Sequence, residues 1–194
     1  MAALEDATSV RALFVVLNAV GIVAWSKQRQ TVRILVELPE ASGEYEPVVR
    51  VVERERPFSN AMHLRQIIRS CEGYLHWAEP HLPRKALESL VSEADGSRID
   101  EIKLVSRPPK DEELALYKTD WQRFKKEMKA LHIAAEWRFV PSKSLDLHDR
   151  YIVGRNTVWN VPPVNSLHKG DYAEAFKTPN RPPFDRWWRE GTAL

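Results

Sequence analysis

Asp146-Leu147-His148-Asp149-Arg150-Tyr151-Ile152-Val153-Gly154-Arg155, followed by Val161-Pro162-Pro163-Val164-Asn165-Ser166-Leu167, is the stretch on which the reading of this chain turns. Leu147, Tyr151, Ile152 and Val153 read as a short, partly buried strand. Side chains alternate across a strand, so His148 and Arg150 are expected on one face and Asp149 on the other. Two residues apart at about 3.3 Å each, they could grip one phosphate-sized anion between an imidazole and a guanidinium.

Upstream of this strand the chain falls into a helix–strand rhythm. Ser59 or Asn60 can cap a helix reaching about Cys71, and Gly73 to Ala78 reads as a strand. Arg84 to Ala94 reads as a helix closed by Asp95-Gly96, and Ile99 to Val105 as a strand stopped by Pro108-Pro109. From Lys110 to about His132, Leu114, Tyr117, Trp121, Phe124, Met128 and Leu131 recur at three and four residues, the mark of one buried helical stripe. Strands at Ala135 to Val140 and Thr157 to Val161 complete the order, and Pro47 to Arg56 offers one more with charged edges. Alternation of this kind predicts an α/β layered domain with a mixed sheet flanked by helices.

Before that domain, a helix capped by Thr8 or Ser9 runs to about Ala19 and precedes two strands, Ile22 to Trp25 and Thr31 to Leu38. The expected organisation is an N-terminal helix and hairpin over residues 1–45, the α/β domain over 46–177, and a Pro- and Trp-rich tail over 178–194. The tail is read as too rich in proline for regular structure, its aromatics docking on the domain or on a partner.

The chain has 194 residues, 43% of them hydrophobic, which is enough for one well-packed domain. Its formal net charge is only +2, so bulk charge predicts no indiscriminate binding to nucleic acid, and any such binding has to come from local patches. A single cysteine, Cys71, leaves no internal disulfide and no cysteine-based zinc site. The apolar run from Ala12 to Trp25 is shorter than a membrane span, is interrupted by Asn18 and Gly21, and follows acidic Glu5 and Asp6. It is expected to be buried in protein, in a cytoplasmic chain. His76, Glu79 and His81 form an HxxExH pattern, but Pro80 breaks the regular geometry a metal site would need, and no metal or other cofactor is expected.

The segment from His148 to Asn165 resembles the phospholipase D superfamily motif, His-x-Lys, four residues, Asp, six residues, Gly-Ser-x-Asn. His148 takes the histidine position, Arg150 the lysine, Arg155 the aspartate, Pro162-Pro163 the Gly-Ser pair and Asn165 the asparagine, without a gap. The order of elements over residues 57 to 177 is similar to one half of that fold. The resemblance implies histidine attack on phosphorus, with two motifs supplied by a long chain or by a symmetric dimer. This chain carries one motif, so turnover would require a homodimer with His148 as the candidate nucleophile. Arg150 keeps a cation and adds a planar fork, whereas Arg155 reverses a charge and Pro163 removes a hydroxyl and a donor. The HDR form is similar to noncatalytic relatives, among them the C-terminal domain of proteins with an N-terminal microtubule-interacting and trafficking domain, which bind acidic head groups or proteins.

The resemblance therefore implies a degenerate domain that holds a phosphate-bearing partner without turnover, through His148, Arg150, Asn165, His168 and Lys169, with Gly170 bending the loop toward the ligand. The helix and the stretch from Gly21 to Leu38 resemble the closing half of a winged-helix domain, with Lys27, Arg29 and Arg33 as phosphate contacts. That wing-like hairpin makes nucleic acid the favoured partner. A metal-independent homodimeric nuclease or phosphodiesterase is the first alternative, and an assembly module in a larger complex the second. For Arg150 the competing role is an ion pair with Asp149, Asp146 or Glu79.

Overall fold

A computed structural model describes residues 14–18, 23–26, 31–34, 49–52, 56–146, 148–169 and 173–194. The chain divides into two compact units, Met1–Glu46 and Pro47–Leu194. In the first, residues 14–18 are helical. Strands β1 (Val23–Ser26) and β2 (Thr31–Ile34) pair antiparallel, Val23 opposite Ile34 and Ser26 opposite Thr31, forming the expected hairpin. The apolar run was expected to be buried, yet Val15 and Val16 are each more than half exposed. Val23, further along the same run, is buried.

The second unit holds an eight-stranded sheet in the order β10-β6-β5-β4-β7-β8-β9-β3. Its heart is β4 (Gly73–Ala78), α2 (Arg84–Glu93), β5 (Ile99–Ser106), α3 (Asp111–Ala130) and β6 (Ala134–Phe139), whose three strands run parallel. The remaining strands, β7 (Tyr151–Val153), β8 (Val158–Asn160), β9 (Ala173–Lys177), β3 (Val49–Val52) and β10 (Thr192–Ala193), join antiparallel. The fold is mixed α/β, a mixed sheet flanked by helices.

Strand alternation separates two faces. Leu75 and Trp77 of β4, Ile102 and Leu104 of β5, Trp137 of β6, Ile152 of β7 and Trp159 of β8 belong to the main core. Residues of α1 (Pro57–Arg69), α2, α3 and α4 (Val164–Lys169) complete that core. The stripe on α3 packs through Trp121, Phe124 and Met128, with Trp121 edge-on to Trp137. Leu131, read as part of the stripe, is the C-cap and is exposed, because the helix ends at Ala130. The expected cap at Ser59 or Asn60 is also corrected. The helix α1 starts at Pro57, whose fixed φ suits a first helical position, with Arg56 as N-cap.

The opposite face is covered by the tail. Contrary to the expectation of irregular structure, α5 (Phe184–Glu190) is a helix and β10 a short strand. The prolines precede the helix instead of lying within it, and Pro183 is the N-cap. Phe184 and Trp187 form a second core with Ala78, Val105, Val140 and Leu145. Trp188 is flanked by Lys103 and Arg138, at 5.3 and 4.3 Å from its ring centre. His76 stacks on Phe184 and bonds Glu101 at 2.8 Å, and Lys103 bonds the same carboxylate at 2.7 Å. Among the described residues, no helix is long and apolar enough to cross a membrane.

Candidate anion site at the carboxyl edge of the sheet

The parallel strands end on one edge at Ala78, Ser106 and Phe139. Strand β7 runs the other way, with Tyr151 opposite Ala78, so residues 148–150 arrive at that edge. Open α/β sheets present their ligand crevices at this end of parallel strands.

The segment before Tyr151 is a turn and not the expected strand. The Asp146 carboxylate accepts the His148 N–H at 3.0 Å, and the Asp149 carboxylate accepts the Asp146 N–H at 2.8 Å. The Arg150 N–H returns to the His148 carbonyl at 3.0 Å. Short acidic side chains closing on their own backbone favour a turn over an extended strand. Strand alternation therefore does not set the directions of His148 and Arg150. His148 is exposed, and among the described residues its ring has no hydrogen-bond partner. Arg150 turns inward, its side chain 13% exposed, and its Nε donates to Glu79 Oε1 at 3.2 Å. Of the three carboxylates that could compete for Arg150, Glu79 is the one it meets.

Glu79 follows β4 directly and is 1% exposed. Its Oε1 also accepts the His81 N–H at 3.3 Å, while Oε2 is buried with no hydrogen-bond partner among the described residues. Burial pushes this carboxyl up to about 7. Arg150, the His81 N–H and, without closing a hydrogen bond, the Val164 N–H pull the other way and do not offset it. The His81 imidazole is lowered by burial, then by Arg107 and Arg150. Arg107, just past β5, donates through Nε and Nη2 to the Leu145 carbonyl at 3.1 and 2.8 Å, and through Nη2 to that of Ser142 at 3.3 Å. It thereby ties down the loop after β6. Lys143 and Arg186 line an open depression beside the same loop with Pro141, Ser144 and Glu190. Among the described residues, Arg107 has no carboxylate within ion-pair distance.

The other sequence-derived candidates are spread more widely. Asn165, His168 and Lys169 lie on α4, not in a loop; Asn165 and Lys169 are exposed. The start of α4 adjoins Glu79 through Val164. His168 is lowered by burial, then by Lys85, with Glu88 and Arg65 also acting on it, so it faces α1 and α2 instead of the Arg150 turn. Gly170, Lys27 and Arg29 lie outside the described residues; Arg33 lies on β2, with its side chain outside them. Arg155, at the aspartate position of the motif, sits past the far end of β7, its N–H bonded to the Glu72 carbonyl at 2.9 Å. Sequence reasoning missed Arg107 altogether, since one arginine before two prolines carries no pattern. It weighed Glu79 and His81 only as metal ligands or, for Glu79, as one of three partners for Arg150.

No family model matches the chain, and no curated protein matches it. One solved structure similar to it is that of TrmBL2, an archaeal chromatin protein described with a novel mode of DNA binding. The identity is 13%, the superposition covers 96% of this chain and 62% of that one, and the TM-score is 0.47. The chain thus spans less than two thirds of that protein's length, and an overlap this loose carries no weight for fold or ligand.

Proposed function

We propose that this chain holds a phosphate-bearing partner, nucleic acid before any other, at the carboxyl edge of its sheet and without turnover, as a degenerate phospholipase D-like domain would. The observation that carries the reading is the gathering of Arg150, Arg107 and His81 where the parallel strands end, against one buried carboxylate. Glu79 engages the Nε of Arg150. Among the described residues the two terminal nitrogens of that guanidinium have no hydrogen-bond partner, and they suit two oxygens of one phosphate. Each charge-assisted bond is worth about 1.5–3 kcal/mol, so Arg107, His148 and the neighbouring Lys143 and Arg186 are needed as further contacts.

The reading without turnover rests on the sequence: Arg155 stands where the phospholipase D-like motif has an aspartate, and Pro163 where it has a serine, so a charge is reversed and a hydroxyl and a backbone donor are lost. The test is fluorescence anisotropy of labelled duplex, single-stranded DNA and RNA over a salt series, with bis-p-nitrophenyl phosphate hydrolysis measured beside it. Affinity should fall steeply with salt, and Arg150→Ala and Arg107→Ala should each lower the slope of log K against log salt by about 1. Salt-independent binding would point to protein assembly instead. Metal-free hydrolysis abolished by His148→Ala would establish the homodimeric enzyme.

A further inference from the structure

Glu79 is an odd residue to find under a phosphate grip. It is an acid placed against the very guanidinium that would take the ligand, and it is shut away from water at 1% exposure. A carboxylate needs several donors to be content out of water. This one has Arg150 Nε at 3.2 Å and the His81 N–H at 3.3 Å, both on Oε1, and nothing on Oε2 among the described residues. The groups facing it are Arg150 from the turn before β7, His81 from the turn after β4, and the Val164 N–H from α4. Arg107, at the end of β5, acts on His81. The balance is therefore held by one guanidinium.

Resting on the binding reading above, we propose that Glu79 is a binding residue of this site, releasing its claim on Arg150 by taking up a proton when an oxyanion arrives, so that anion and proton enter together. Two anions cannot share one guanidinium cheaply in a desolvated place, and the one that can become neutral does so. The bookkeeping is simple. The carboxylate gains one proton from solvent, Arg150 keeps its charge throughout, and that charge passes from Glu79 to the ligand. The carboxyl already sits near neutrality at about 7, so a modest further push from the ligand protonates it under ordinary conditions.

Sodium sulfate is the probe, because it does not titrate near neutrality. Its binding to the full chain is followed by calorimetry at constant ionic strength, in Tris and HEPES, whose ionisation heats differ. The expected result is proton uptake near pH 7.5, with affinity falling by up to about tenfold per pH unit above about pH 7. Protons taken up per sulfate bound, measured at saturating sulfate so that a weakened affinity does not enter, should fall to zero in Glu79→Gln and stay unchanged in His81→Asn and His148→Asn. Sulfate binding without proton uptake, or uptake lost in either histidine variant, would overturn the assignment to Glu79 while leaving the anion site standing. Uptake persisting in Glu79→Gln would do the same. No sulfate binding at any pH from about 6 to 8.5 would overturn the site and this inference together. Should Glu79→Gln not fold, the wild type and the two histidine variants still decide.

Discussion

At the scale of single residues, the Glu79–Arg150 pair makes stability depend on the charge of one buried carboxyl. The Glu79 carboxyl is raised from 4.5 to about 7 by burial, so the folded chain holds a proton that the unfolded chain would release between those values. Stability from this group is whole below about pH 4.5 and declines as pH rises through 7, by on the order of 3 kcal/mol. Denaturant unfolding at a series of pH values should show this decline in the wild type and a flatter profile in Glu79→Gln. Replacing Arg150 by Met should destabilise by about 3–5 kcal/mol at pH 8, where it strands a buried charge, and by much less at pH 5.5, where Glu79 is protonated. Equal losses at the two pH values would mean the pair is held by packing and not by charge. Glu79 was legible in the sequence as one of three acidic partners for Arg150, but not as the one it meets. Glu79 and Arg150 are 71 residues apart, and only the antiparallel pairing of β7 on β4 brings them together.

Elements were legible where one period dominates. The helix α3 announces itself by apolar spacing, and β4 and β5 by β-branched and aromatic runs between turn signals. The focal strand was read too long, since Asp146 and Asp149 spend their side chains on the backbone of a turn, a local contest that hydrophobic spacing does not register. The tail was half legible: its aromatics were read as docking, and Phe184 and Trp187 do pack on the sheet, but its prolines hid the helix that carries them there. Trp187 is 1% exposed, so Trp187→Ala should cost about 3–5 kcal/mol. Trp188 rests between two cations near the surface, so Trp188→Ala should cost less but leave α5 open to amide exchange. Mass-spectrometric exchange over 184–190 separates these outcomes. A turn at the other end of the sheet offers a third check. Gly73 has φ +73°, and a Cβ there would meet the movable Arg155 guanidinium 2.6 Å away, so Gly73→Ala should cost about 1–2 kcal/mol, chiefly for the left-handed backbone.

At the scale of the molecule, residues 47–194 contain every strand of the eight-stranded sheet and both hydrophobic cores. Produced alone, that stretch should unfold in one cooperative transition by circular dichroism, and a broad, multistep loss would show that it depends on residues 1–46. The α/β class could be read from the alternation of elements, but the strand order could not, because β3 and β10 come from the two ends of this unit and reach opposite edges of the sheet. At one of those edges lies β10, two residues long, pairing Thr192 with Phe139 and Ala193 with Arg138, while the Leu194 N–H bonds the Trp137 carbonyl at 3.0 Å. Thr192 to Leu194 are the stopper on a parallel strand that, among the described residues, would otherwise show a bare row of amides and carbonyls. Thr192→Pro together with Ala193→Pro, which unpairs them, should therefore make the chain self-associate through β6 as its concentration rises, an outcome sedimentation velocity would register.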